Sequence, residues 1–460
     1  MSTFFSISQI SRLKSEIALT INLAVPIMVS QLGLMLMGLA DTIQVGRMKH
    51  DAVDSLGASG TANGIYITIS IIGYITLQMI SPLIAKAKSS NQFSECKQLL
   101  FSNIKVSFWL SFVCMALIGI VALLYPYLGQ TIENKRFALP YLFIITLSII
   151  PSFLFTAVKG FTDGFSDTKA SMIITLVALI LNVILNECLI NGLFFFPELG
   201  LNGAGIATFL SRCFMASMMI IYVLKNKNYK SILAEKIAPL SSKNFAVRNQ
   251  LAIKMLKMGL PSGLQGFFEI AAFSFAVIMM GWLGNIQQAA HIIAINIAAL
   301  TYMAATGIGA AGGIRVGNSI GLKDRNLQTE SILSSLFVSI VFMGTCAIVM
   351  YFFRDYFVSF YTKETQVLLL SSSLLVWGAV FQLFDGLQVV CLGLLRGMQD
   401  MKIPTLITVF SYWGIGIPSG YLFAFVFRLD AVGVWIGLTL SLVASSTLLG
   451  LRLLYCNKKL

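Results

Sequence analysis

Long apolar stretches separated by short polar segments recur along the whole chain. Ser55–Ala85, Val106–Ile132, Phe137–Val158, Ser331–Phe353, Ile403–Phe427 and Ala431–Leu451 carry no formal charge. Each reaches the roughly 20 residues that a helix needs to cross a bilayer. The runs are continuous, hold Gly, Pro and aromatic residues, and lack the period-two alternation of barrel strands, so they predict helices. Twelve are expected, near 18–46, 55–85, 98–125, 137–161, 170–194, 201–224, 252–283, 288–316, 329–353, 366–395, 403–427 and 431–452. The predicted fold class is an all-α integral membrane protein.

Three carboxylates interrupt this pattern. Asp41 closes an uncharged run from Ile17 to Ala40; Glu269 opens a 45-residue stretch, Ile270–Ile314, whose titratable side chains are His291 and Tyr302. Asp385 separates the uncharged runs Thr365–Phe384 and Gly386–Leu395. An acid at mid-bilayer costs roughly 2.5–3.5 kcal/mol on insertion scales, so it usually faces a wet cavity, an ion or a partner. Arg212 is the one base expected at mid-span.

Composition agrees: 57% of residues are hydrophobic and 11% charged. The net charge of +13 alone would suggest nucleic acid, but its distribution points to topology. With both termini cytoplasmic, inside segments hold twenty-four Lys/Arg and outside segments seven, as the positive-inside rule requires. The basic 225–257 region, including its 225–250 linker, is then a cytoplasmic anchor, and no nucleic-acid partner is expected. No cleavable signal peptide is expected, because Ser2–Glu16 is polar and the first apolar run is too long. The seven cysteines form no CxxC pair, so neither a zinc site nor a disulfide framework is indicated.

The chain also repeats itself. Leu23-Ala24-Val25-Pro26 recurs as Met258-Gly259-Leu260-Pro261, Gly164–Lys169 as Gly397–Lys402, and Gly203–Ala207 as Gly433–Gly437. The predicted domains are an amino-terminal six-helix lobe (1–224), the linker (225–250) and a carboxy-terminal six-helix lobe (251–460). Six helices per half give both lobes the same orientation: a parallel repeat around a central cleft, suited to alternating access. There is no filter-like TVGYG loop to suggest a channel. Nor is there an HExxH, GxSxG or clustered His/Cys set to suggest an enzyme.

Specific residues carry a family resemblance. Pro26…Gln31…Asp41-Thr42…Gly46 resembles the opening of the multidrug and toxic compound extrusion (MATE) transporters, as does Gly259-Leu260-Pro261…Glu269. Ala290–Asn296 with Gly313–Asn318, and Phe381–Gln388 with Leu395-Arg396-Gly397, are similar to helices eight and ten of that family's NorM branch. The resemblance implies a monomeric, multi-pass bacterial inner-membrane antiporter. It would export small organic cations using Na⁺ or H⁺ as coupling ion, with lipids as neighbours, no cofactor, and no metal beyond Na⁺.

The resemblance also implies two sites. In the first lobe Asp41, Asn182, Asn186 and Thr208 match the family's cation or proton site; some relatives carry a second acid in place of Asn186. In the second lobe Glu269 and Asp385 match the pair that marks the NorM branch. Gln31, Met35, Met280 and Phe381 are expected at the substrate cleft, where flexible thioethers tolerate varied ligands. Carboxylate, amide and hydroxyl oxygens suit a hard cation, and Asn182 and Asn186 at i, i+4 share a helix face. Interhelical hydrogen bonding is the alternative role for Asn182, Asn186 and Thr208. His291 is expected as a hydrogen-bonded core imidazole. Arg315 and Arg396 are expected as orienting residues at helix ends. The rival function is a lipid-linked precursor flippase of the same superfamily, which would need basic residues in the cleft.

Overall fold

The structure is a computed structural model. It describes residues 7–459 except 49, 128, 130, 194–195 and 235–241, with the backbone alone for 7–10 and 242–249. Every regular element among them is helical. Twelve helices are long and apolar enough to cross a membrane, as expected: α1 (Ser11–Gly46), α2 (Ala52–Ser89), α3 (Phe93–Tyr127), α4 (Ile132–Gly164), α5 (Lys169–Asn191), α6 (Leu201–Lys225), α7 (Gln250–Leu283), α8 (Asn285–Leu322), α9 (Arg325–Phe352), α10 (Thr365–Gly397), α11 (Lys402–Val426) and α12 (Asp430–Lys459). Short helices Lys227–Ala234 and Arg354–Ser359 follow α6 and α9. Of the expected 225–250 linker, 235–241 lie outside the described residues; from Ser242 the backbone is already helical and continuous with α7.

Most helices outrun the apolar stretches that predicted them. At 1.5 Å per residue the 38 residues of α8 extend about 57 Å, against a hydrocarbon core of about 30 Å. The excess is polar helix beyond the hydrocarbon, such as Arg12, Lys14 and Glu16 before the apolar part of α1. Helices α1 and α7 continue through Pro26 and Pro261. By contrast α4 is broken at Ser148, three residues before Pro151, where the missing N–H removes a helical hydrogen bond. In α11, Pro418 lies between two π-helical stretches, Phe410–Gly416 and Leu422–Val426.

The chain forms two compact units, one of Leu32–Gly263, the other of Leu264–Leu460 with the residues up to Gln31. In the first, Tyr66, Leu110, Tyr141, Phe153 and Ala204 belong to one buried cluster. Ile84, Phe161, Met215 and Tyr229 belong to another. In the second, Met280, Ala294, Leu374, Phe381, Tyr412, Trp435 and Leu442 form the core. There α8 runs along α10, and the facing glycines Gly309 and Gly393 allow direct backbone contact that a Cβ would block.

Repeat-related positions take the same backbone form. Three pairs adopt positive φ: Asn91 (57°) with Lys323 (58°), Ser166 (66°) with Gln399 (64°), and Gly200 (55°) with Asp430 (47°). Just after two of these turns sit paired carboxylates. Asp167 accepts hydrogen bonds from Tyr222 (2.7 Å) and Tyr229 (2.8 Å). Its mate Asp400 accepts from Arg452 (2.6 Å), which stands at the position equivalent to Tyr222.

Candidate functional site

In the unit formed by Leu32–Gly263, Asp41 reaches the buried face where α1, α5 and α6 present their polar residues. Nδ2 of Asn186 donates to Oδ1 of Asp41 at 2.6 Å, and Oγ1 of Thr208 donates to Oδ2 at 2.8 Å. Asn182 donates to Thr208 at 3.4 Å, and its Oδ1 lies 3.4 Å from Nδ2 of Asn186. The four residues expected together are therefore in one hydrogen-bonded group, all buried. The i, i+4 spacing of Asn182 and Asn186 places both amides on one face of α5.

One member of this group was missed. Gln44 accepts from Asn186 at 2.9 Å and donates to the Val183 carbonyl at 3.0 Å and to Glu187 at 3.3 Å. Its position three residues after Asp41 was the available signal, because i, i+3 residues share a helix face. Within the group one acceptor is left over: Oδ1 of Asn186 is buried with no hydrogen-bond partner. A buried acceptor left unpaired costs free energy, so this oxygen is a ready ligand for a cation or a donor. Glu187 is exposed and bonds to Gln44 and Asn191, in keeping with an interfacial acid.

Arg212 lies near the midpoint of α6, one turn beyond Thr208 on the same face. Its Nη1 donates to the hydroxyls of Tyr66 and Ser148, each at 2.5 Å, and its guanidinium stacks 4.8 Å from the Tyr66 ring. Tyr66 in turn bonds to Tyr74 at 3.1 Å.

In the other unit Glu269 and Asp385 are both buried. Gln265, one turn before Glu269 on α7, donates to its Oε2 at 2.5 Å. Oε1 accepts from Gln388 at 3.1 Å and from Tyr412 at 3.3 Å. The Asp385 carboxylate feels the Glu269 charge, but its Oδ1 has no hydrogen-bond partner. Near it in sequence, Oε1 of Gln388 and both amide atoms of Gln382 are likewise unpaired. Among the unpaired atoms here acceptors outnumber donors, a composition able to take a cation or a proton.

Three expectations need correction. Arg396 is more than an orienting residue at a helix end: its Nη2 donates to Oε1 of Gln265 at 3.0 Å, joining it through that amide to Glu269. Side chains tilt toward the helix N-terminus, so an arginine at the end of α10 reaches back into the span. Arg315 makes a two-point ion pair with Glu16 through Nε (3.1 Å) and Nη2 (2.5 Å), which holds the start of α1. His291 is buried against Trp435, with ring centroids 5.7 Å apart, yet neither ring nitrogen has a partner. Of the residues expected at a cleft, Met280 and Phe381 lie inside the apolar core, Phe381 between Phe273 and Trp435. Gln31 and Met35 are half-buried.

The family model MatE matches the chain twice, over residues 26–187 and 261–422. The two matches begin at the repeat-related Pro26 and Pro261. The "Probable multidrug resistance protein NorM" of Oceanobacillus iheyensis is 33% identical, covering 98% of this chain and 99% of its own length. The "Multidrug resistance protein NorM" of Photobacterium profundum is 28% identical over 94% of each chain. Among solved structures, the eukaryotic MATE transporter AtDTX14 superposes with a TM-score of 0.86 at 18% identity, covering 97% of this chain and 98% of its own. An outward-facing MATE transporter of the MOP superfamily gives 0.83 at 18% identity, over 96% of each chain. At these identities the two structures speak to the fold alone. The doubled family match and the nearly full-length relatives carry the assignment: the chain belongs to the MatE family and is a multi-pass membrane transporter of the NorM type, not an enzyme.

Proposed function

We propose that this transporter exports organic cations and related drugs by alternating access, in exchange for an inward-moving Na⁺ or H⁺. The relatives' names as multidrug resistance proteins support the export of drugs. The observation that carries the reading is the surplus of buried acceptors around Glu269 and Asp385, with Oδ1 of Asp385 unpaired. A carboxylate in a low-dielectric interior needs a proton, a metal ion or an organic cation. When one site accepts all three, loading the coupling ion and loading the substrate compete, and that competition suffices for antiport.

Asp41 with Asn182, Asn186 and Thr208 is the second cation or proton site in this reading. Gln31 and Met35 contribute to the substrate path, and Met280 and Phe381 support its wall from the core. The two six-helix halves are the moving bodies, and one chain suffices because each half holds its own acid site. The membrane is the bacterial inner membrane, with both termini and the 225–250 segment on the cytoplasmic side, where Lys and Arg concentrate. A flippase for lipid-linked diphosphates is not favoured. Such a substrate calls for clustered free bases, whereas the half-buried Arg315 and Arg396 are already tied to Glu16 and Gln265.

The test is transport in proteoliposomes under separately imposed Na⁺ and pH gradients. Uptake of a fluorescent organic cation driven by one gradient, and lost in Asp385→Asn, is the expected result. Transport that ignores both gradients overturns the coupling; equal transport by Asp385→Asn moves it away from this site.

A further inference from the structure

Buried polar atoms without partners follow one line through the unit that holds Asp385. Both ring nitrogens of His291 on α8, Nε1 of Trp435 on α12, both amide atoms of Gln382 on α10 and Oδ1 of Asp385 lack a hydrogen bond. These four residues are between 0% and 3% exposed, and native proteins rarely leave polar atoms unmet at such depth. The His291 and Trp435 rings are 5.7 Å apart. The Trp435 indole lies 3.5 Å from the position of a Cβ on Gly378. Gln382 and Asp385 stand four and seven residues beyond Gly378, on the same face of α10. The steps from Gly378 to Gln382 and on to Asp385 are therefore roughly 6 Å or less along the helix axis.

The two ends of this line differ. Helices α8, α10 and α12 all begin at one end, and His291 is six residues into α8, roughly 9 Å from it. Ser371 and Ser372, six and seven residues into α10, are also buried with unpaired hydroxyls. Toward the other end the polar groups close on one another: Gln265 donates to Glu269 at 2.5 Å, and Arg396 donates to Gln265 at 3.0 Å. A guanidinium keeps its charge in proteins, so Arg396 repels a proton or metal ion arriving from that side. In the orientation proposed above, the His291 end faces outward and the Arg396 end faces the cytoplasm.

Donors and acceptors at this spacing suit water, which needs two to four polar partners. Trp435 supplies a donor, Gln382 a donor and an acceptor, and Asp385 an acceptor. Imidazole is the group on the line that both takes and gives a proton near neutral pH. A proton entering at one ring nitrogen, while another leaves from the second, leaves His291 neutral in its other tautomer; rotation of the ring restores it. Na⁺ finds no such passage, because the Phe273, Phe381 and Trp435 rings pack this part of the core and an ion stripped of water is costly there. At the inner end of the line Glu269 from α7, Tyr302 from α8 and Tyr412 from α11 interact electrostatically with Asp385, and Arg396 with Glu269 and Tyr302.

From this placement we propose that His291 is a proton relay, and that protons from the outer side reach Asp385 through water held along Trp435 and Gln382, inside this unit. The proposal rests on the exporter reading and orientation above, and it names the proton as the ion taken at Asp385.

The experiment places full-length protein in liposomes, imposes pH and Na⁺ gradients separately, and follows a fluorescent organic cation. Equilibrium binding of the same cation is read in detergent at one pH. His291→Phe should slow pH-driven transport by about tenfold or more, toward the range of a positioned proton carrier. Its equilibrium affinity should stay within about threefold of wild type, because His291 acts on the proton and not on the cation. Any Na⁺-driven transport should be equal in the two proteins. His291→Gln keeps a polar side chain that orders water but takes up no proton, so its pH-driven rate should fall between those of wild type and His291→Phe. A wild-type pH-driven rate in His291→Phe overturns the route. So does a loss of binding in His291→Gln that matches its loss of transport, because the imidazole would then be structural. If His291→Phe does not fold, His291→Gln decides by the same two readings. Wild-type protein driven by Na⁺ and indifferent to pH overturns the route alone, whereas wild-type protein driven by neither gradient overturns the coupled-exporter reading itself.

Discussion

Asp41 and Asp385 are both buried acids in membrane helices, one in each unit, yet their surroundings are opposite. Each oxygen of Asp41 receives a hydrogen bond from a neutral side chain. Asp385 has an oxygen with no donor and a second carboxylate, Glu269, acting on it. In the Asp41 site both carboxylate oxygens already have donors from the protein itself. The Asp385 site leaves a carboxylate oxygen unmet. The repeat has kept its turns, but the acids are not repeat mates: Asp41 corresponds to Ala276 and Asp385 to Ser152.

The contrast is broken most severely at Asp41. Asp41→Asn should reduce gradient-driven export to background, measured in proteoliposomes, while expression and thermal stability stay near wild type. Full retention would make the Asn182, Asn186 and Thr208 group a structural joint between helices.

Next in size, Glu269→Gln and Asp385→Asn should each weaken binding of a fluorescent cation by about tenfold, the loss expected for one charged hydrogen-bonding partner. The double variant should lose less than the sum, because groups acting as one unit are not additive. In wild-type protein affinity should fall as pH falls, since protonated carboxylates no longer attract a cation, and both single variants should flatten that profile. Additive losses with an unchanged profile would separate the two acids.

A smaller effect is expected from Gln265→Leu, which cuts the link between Arg396 and Glu269. Leaving buried polar partners unpaired costs about 1–3 kcal/mol, so thermal unfolding in detergent should move down by several degrees. An unchanged melt would mean that Arg396 and Glu269 need no bridge.

The smallest change belongs to the Lys/Arg-rich end of the first unit. Tyr229→Phe removes one of the two donors on Asp167 and should cost about 1 kcal/mol. Burial, and then the hydrogen bond to Asp167, push the Tyr229 hydroxyl above its ordinary range. The folded chain therefore holds this proton where an unfolded chain releases it. Stability from Tyr229 should be fully present below about pH 10 and decline above it, and the variant should lack that part of the decline.

Much of this is legible in the amino-acid sequence, for definite reasons. Twelve helices follow from run length, and the repeat follows from Pro26 with Pro261 and Gly164–Lys169 with Gly397–Lys402. Asp41, Glu269 and Asp385 stood out because charge is expensive in apolar surroundings. What stayed hidden was neutral. Gln44, Gln265, Gln388 and Tyr412 carry no charge to mark them, although Gln265 sits one turn before Glu269 and Gln388 one turn after Asp385. Arg396 was misread because its position is terminal while its side chain is not. The helix lengths were underestimated because polar turns continue past the hydrocarbon, where run length carries no information.

The division of the first and seventh helices between the two units bears on how the protein is made. Residues up to Gln31 count with the later unit, where Glu16 meets Arg315 and Ser331 and Thr20 meets Ser334 at 3.1 Å. Conversely, Gly259 and Gly263 close on Thr76 and Ile72 of the earlier unit. During synthesis the earlier unit stays incomplete until the ribosome has passed Gly263. The later unit depends on a segment that emerged first and must wait for its partners. A gene split inside 225–250 would therefore yield two fragments that each lack a piece of their own core, and co-expression, rather than either fragment alone, should restore a folded transporter.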